Sequence, residues 1–277
     1  MASRTIDAHV HLWRLARGDY HWMTSDLVCL QRDFLPADLA PCLKKAAIGE
    51  AVLVQAAATL DETAFILDLA ARTAFISGVV GWVDMASPSA PHDLEQLGGT
   101  PWLKGVRPMI HDIPQVNWML EDALTPAFDK IEDMGLAFDC LVRPAHLKPL
   151  LVLLGRRPGL RALIDHGGKP EIAAGRFDDW AGDMKRLAEE TSVLCKFSGL
   201  VTEAGPDWSV EKLRPYADHL IECFGPDRLV FGSDWPVVTM TASYDDWHKA
   251  ARALTAGLSS ADQAKIFGAN AAAFYRL

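Results

Sequence analysis

Eight short apolar runs recur along this chain, at residues 6–11, 51–55, 76–83, 103–108, 136–141, 161–166, 193–197 and 228–232. They are mostly unbroken rather than alternating, which is how strands buried on both faces read. Helical periodicity fills the intervals. It predicts helices over 36–45, 61–71, 90–98, 125–134, 146–154, 178–189, 210–224 and 244–254, with a closing helix or helix pair over 260–275. Pro36 suits the first turn of the first helix, with Asp33 or Leu35 before it as the cap. Strand followed by helix, eight times in 277 residues, predicts an α/β fold, a (β/α)8 TIM barrel occupying 1–277 as one domain. A doubly wound sheet would need fewer strands and usually a glycine-rich first turn. The first strand here leads instead into His11-Leu12-Trp13.

Composition narrows the partners. Half of the residues are hydrophobic, enough for one substantial core. The net charge is -9 without a Lys/Arg cluster. The pair Arg156-Arg157 sits beside Pro158-Gly159 and reads as a solvated loop, so no nucleic-acid partner is expected. Cys29, Cys42, Cys140, Cys195 and Cys223 match no metal ribbon or redox pair and read as reduced thiols. The first strand begins almost at once, which reads as a chain without a leader. No apolar run approaches about 20 residues. A cytoplasmic location away from membranes is therefore expected. The sequence assigns no oligomeric state.

In such a barrel the C-terminal ends of the strands share one mouth. The polar residues at these ends are His9, His11, Gln55, Trp82, Asp84, Arg107, Asp139, His166, Lys196 and Asp234. His9 and His11 are two apart, hence on one face of a strand. They can bind a metal or polarise a carbonyl oxygen. Asp234 follows Gly232-Ser233 and can take a proton from water. His166 precedes two glycines and can join the same group. Buried Arg107 would either bind a substrate group or pair with a carboxylate such as Asp84 or Asp139. Asp139, Lys196, His111, Glu203 and the aromatics Trp22, Trp82 and Trp235 are candidates for contacts with a hydroxylated ring.

The segments DAHVHLW, RGDYHWM, VLVQA, VVGWVD, LKGVRPM, LAFDCLVRP, LIDHGGKP, CKFSGLVTEA, LRPYADHL, FGPDRLVFGSDWPV and IFGANAAAFYRL together resemble the sugar-lactone hydrolase group of the amidohydrolase superfamily. That group includes L-fucono- and L-rhamnono-lactonase-like enzymes, with pyrone-dicarboxylate lactonases further away. The resemblance implies a distorted barrel and, in the wider superfamily, one or two divalent metals. His9 and His11 match the first ligand pair, His166 the strand 6 ligand and Asp234 the strand 8 ligand. Two positions depart. Arg107 stands where a bridging carboxylated lysine would be, and Asp139 where a histidine is usual, which speaks against a binuclear centre. The lactonase group is similar in this respect. The resemblance thus implies no obligatory cofactor, with zinc as an optional occupant of His9, His11, His166 and Asp234.

The implied activity is hydrolysis of an aldonolactone, a small-molecule substrate, to its acid. L-Fucono-1,5-lactone, a compound of L-fucose degradation, is the first choice, with L-galactono-1,5- and D-arabinono-lactones beside it. Asp234 would activate water, and His9, His11, His166 or zinc would polarise the carbonyl, with Arg107 adding positive charge. Two alternatives stand next to this reading. One is a zinc-dependent amidohydrolase or decarboxylase of the same superfamily, and the other is a barrel that binds a sugar acid without catalysis.

Overall fold

The computed structural model describes residues 4–277. Its eight strands are β1 (Ile6–Val10), β2 (Glu50–Val54), β3 (Ile76–Gly81), β4 (Leu103–Val106), β5 (Ala137–Cys140), β6 (Arg161–Ile164), β7 (Leu194–Phe197) and β8 (Leu229–Phe231). All pair in parallel in sequence order. The ring closes just above β1 and β8. There Val10 bridges Trp235, Asp234 N donates to His9 O at 2.8 Å, and His11 N donates to Trp235 O at 2.7 Å. This is the (β/α)8 barrel that the eight apolar runs predict.

Helices α1 (Pro36–Ala46), α2 (Leu60–Arg72), α3 (Ala90–Leu97), α4 (Thr125–Asp133), α5 (Leu147–Arg156) and α6 (Asp178–Glu190) follow the first six strands. Each buries one stripe against the strands. On α5 the stripe is Leu147, Leu150, Leu153 and Leu154, and each leucine so buried contributes roughly 1.5–3 kcal/mol. Pro36 opens α1 as expected. Asp33 does not cap it, because its carboxylate accepts from Leu15 N at 2.8 Å. The side chain of Asp38 instead accepts from Leu35 N at 2.9 Å. Thr59 and Ser243 cap α2 and the later helix that begins at Tyr244 through their hydroxyls.

Strand β7 is followed by two helices, a short α7 (Leu200–Ala204) and α8 (Val210–Phe224), of which only the second has a clear period. After β8 come α9 (Tyr244–Leu254), α10 (Ser260–Ala264) and α11 (Asn270–Tyr275). A π turn over Lys265–Ala269 joins the last two, so the closing segment is an interrupted helix. Helix α11 plugs the base of the barrel. Ala271, Phe274 and Tyr275 pack against Ile6, Ala8, Val52, Val54, Val80, Leu163 and Val230 inside the ring. Among the described residues no helix is long and apolar enough to cross a membrane.

Candidate active site

Strand β1 and the residue that follows it bring His9 and His11 inward, with relative exposures of 0% and 4%. The close approach of β8 is set by Gly232, since a Cβ there would lie 2.7 Å from His9 Cβ. Asp7 ties the same seam. Its carboxylate accepts Ser233 N at 2.8 Å and Tyr244 OH at 2.8 Å, and burial pushes its pKa up to about 6.

Two of the site residues have left-handed backbones, His166 at φ 52° and Asp234 at φ 59°. Such non-glycine conformations cost about 1–3 kcal/mol each and persist where the surroundings impose them. The left-handed backbone of His166 turns its side chain into the mouth instead of following strand alternation. Gly199 makes room for His166. A Cβ on it would fall 2.7 Å from His166 Cβ, and its own φ is 68°. The imidazole of His166 is then held by Ser198, with Nδ1 2.9 Å from Oγ.

These elements bring three imidazoles around one carboxylate. Asp234 Oδ1 lies 3.3 Å from His11 Nε2, 3.7 Å from His9 Nε2 and 3.9 Å from His166 Nε2. Burial pushes His166 down to about 3 and holds His9 well below its ordinary value, the latter with help from the Lys196 charge. Burial opposes ionisation of Asp234, yet the surrounding imidazoles hold its carboxyl below the usual range. At neutral pH the centre is therefore an ionised carboxylate beside neutral His9 and His166.

Beneath lies a layer of buried charge. Lys196 Nζ is 2.5 Å from Asp139 Oδ2, 2.8 Å from Asp165 Oδ1 and 3.0 Å from His9 Nδ1. Arg107 donates through Nη1 to Asp165 Oδ2 at 3.3 Å and through Nη2 to Gln55 O, while Gln55 Nε2 donates back to Arg107 O at 2.8 Å. Burial would raise the Asp165 pKa, but the positive charge of Lys196, with His9 and Arg107, holds it well below the carboxylate range. Tyr275, from the opposite end of the barrel, donates to Asp139 Oδ2 at 2.7 Å.

Above the charge layer is a cavity of about 300 Å³. His11, Arg107, His166 and Asp234 form its polar floor, Trp22, His111 and Lys169 its rim, and Leu27, Met109, Leu141, Val237 and Met240 its apolar wall. A second hollow of about 390 Å³ adjoins it at Trp22 and contains Trp82 and Trp118.

The structure thus gathers His9, His11, Arg107, His166 and Asp234, while spreading the expected substrate contacts. Trp22 and His111 face the cavity, and Trp82 faces the neighbouring hollow. Glu203 pairs with Lys169 at the rim. Four expectations need correction. Lys196 and Asp139 are fully buried under the floor and pair with each other, so neither faces substrate. Trp235 packs edge-on against Phe34 at 5.2 Å and is 4% exposed. His9 lies behind Asp234 and does not line the cavity. The carboxylate partner of Arg107 is Asp165, not Asp84 or Asp139. Asp165 escaped notice because strand alternation sends it away from His166, and only the left-handed backbone of His166 keeps both inside.

His9, His11 and Asp234 offer donor atoms within 4.8 Å of one another, as do His9, Asp165 and His166. Two nitrogens and one oxygen are a donor set that zinc accepts, and in size the first group fits one divalent ion.

Comparison with known proteins supplies the context of this geometry. Residues 6–277 match the protein family described as Amidohydrolase. The chain is 41% identical over 276 residues to the L-fucono-1,5-lactonase of Burkholderia ambifaria, covering 98% of this chain and 95% of that one. It is 35% identical to the L-fucono-1,5-lactonase of Burkholderia multivorans, covering 100% and 97%. The crystal structure of a Burkholderia multivorans amidohydrolase with bound zinc superposes with a TM-score of 0.92 at 34% identity, over 99% of both chains.

Proposed function

Because the chain belongs to the amidohydrolase family, we propose that it is an aldonolactonase, with L-fucono-1,5-lactone as its preferred substrate. The observation that carries the reading is the ionised Asp234 among three imidazoles at the floor of a small cavity. An aldonolactone fits that cavity in kind. Its hydroxyls need the polar floor and rim, and a C6 methyl group suits the wall of Leu27, Val237 and Met240. A methyl pocket discriminates by only about 1–3 kcal/mol. L-Galactono-1,5- and D-arabinono-lactones are therefore weaker substrates rather than excluded ones.

In this reading water lies against Asp234, which takes a proton as the oxygen attacks the lactone carbonyl. Negative charge grows on the carbonyl oxygen and is met by Arg107 and His166, both at the cavity floor. Neutral His166 donates through Nε2 when Ser198 donates to its Nδ1. The carbon–oxygen bond of the ring then breaks, and Asp234 returns its proton to the departing ring oxygen. The product is the open-chain acid. An ester carbonyl needs less activation than an amide, and these groups suffice for it. Zinc held by His9, His11 and Asp234, when bound, would supply Lewis acidity toward the same carbonyl.

The test is the initial rate of proton release from fresh L-fucono-1,5-lactone with metal-stripped enzyme. Fast turnover supports both the substrate and the metal-free chemistry. Activity seen only after zinc is added keeps the substrate and assigns the activation to metal. Failure on every aldonolactone with and without zinc refutes the reading, and CO₂ release from an aromatic acid would replace it with the decarboxylase alternative.

A further inference from the structure

His9 and His11 are two residues apart and on one face, yet their rear nitrogens meet opposite partners. A metal-ligating imidazole normally donates its other N–H to a carbonyl or carboxylate. His11 follows that pattern, with Nδ1 2.8 Å from Val54 O. His9 does not. Its Nδ1 faces the ammonium of Lys196 at 3.0 Å, and lysine only donates.

Lys196 Nζ makes hydrogen bonds to Asp139 Oδ2 and His9 Nδ1, and lies in charge contact with Asp165 Oδ1 at 2.8 Å. Because lysine can only donate, the second of these bonds must be accepted by that nitrogen. Asp165 Oδ1 lies farther from His9 Nδ1, at 3.5 Å. Arg107 Nη1 lies 3.2 Å from His9 Nε2, but it has Asp165 Oδ2 as its own acceptor. The contact that His9 must accept is the one from Lys196.

We infer that Lys196 is a positioning residue that fixes the proton of His9 on Nε2, so that the resting site is completed by its own hydrogen bonds and zinc enters only by breaking them. The chain runs Lys196 Nζ to His9 Nδ1, His9 Nε2 to His11 Nε2 at 3.1 Å, and His11 Nδ1 to Val54 O. Each member donates once to the next, and a backbone carbonyl ends the series. Both Nε2 atoms that a zinc ion would need are occupied, one by a proton and one by accepting it. The effect of this arrangement on turnover rests on the lactonase reading, through the orientation of His11 and Asp234, whereas the place of the proton does not.

The experiment is ¹⁵N NMR of metal-free, substrate-free enzyme labelled at histidine, with the His9 signals identified from the His9→Gln variant. The inference requires an unprotonated Nδ1 and a protonated Nε2. A proton on Nδ1 overturns it, whatever the enzyme hydrolyses. A second readout is zinc affinity by calorimetry in Lys196→Met combined with Asp139→Asn, which keeps the buried charge balanced. Freed from the ammonium, His9 Nδ1 can donate to Asp165, so zinc should bind about tenfold tighter or more than in wild type. Unchanged or weaker zinc binding in the folded double variant also overturns the inference.

Discussion

The interior of this barrel is two different materials. Its lower half, between Ile6 and Val230 and closed by Phe274, is a dry packing of aliphatic and aromatic side chains. Its upper half holds Lys196, Arg107, Asp139, Asp165 and three histidines, almost all equally inaccessible to water. Both are core by burial. In the lower half shape matters and polarity must be absent. In the upper half every charge depends on a particular partner, because an unpaired buried ion costs several kcal/mol. The lower half can thus lose volume without losing function, whereas the upper half couples stability to chemistry.

The comparison is sharpest at Asp234. Asp234→Asn should lower kcat/KM by about a thousandfold with the fold retained, because asparagine also tolerates a left-handed backbone. Retained turnover would remove Asp234 as the base. Leu163→Ala, in the lower half, should cost about 2–5 kcal/mol in urea unfolding while leaving kcat within a few-fold. A large loss of kcat in that variant at a temperature where it remains folded would break the division into two halves. Tyr275→Phe removes the one hydroxyl that crosses from the lower half to Asp139. A loss of about 1–3 kcal/mol is expected, and no loss would show that Asp139 is satisfied by Lys196 alone.

The smallest effect concerns a histidine outside both halves. His248 packs edge-on to Phe231 and Phe267, and burial, with Arg252, pushes its pKa down to about 4. Its folded value lies below its unfolded value, so the unfolded chain binds more protons between the two. The stability it contributes is present above about pH 6.5 and is lost as pH falls toward 4. His248→Leu should therefore be less acid-sensitive than wild type between pH 7 and 4. The difference is about 1–2 kcal/mol after allowance for its partial exposure. Parallel unfolding curves at the two pH values would refute it.

The sequence made the upper half's surface more legible than its foundation. Strand ends announce themselves where an apolar run stops at a polar residue, and His9, His11, Arg107, His166 and Asp234 all do so. What lies under them is set by pairings between distant strands. Lys196 reads as a strand-end cation, and only the fold shows it pointing down between Asp139 and Asp165. Tyr275 gave no signal, since the last helix enters from the opposite end. Among the elements, the apolar runs located all eight strands, although β3 ends at Gly81 rather than at 83. The five-residue α7 is too short for a helical period to register.

One feature of the seam has a kinetic consequence. The bonds that shut the ring join Asp234 to His9, the proposed base to an imidazole that neighbours it. They come from opposite ends of the chain, 225 positions apart by their numbers. An open sheet, however well formed elsewhere, has no functioning centre. The return of hydrolysis during renaturation should then act as a clock for the final closing event, lagging behind any signal from helices or from the seven strand pairings made earlier.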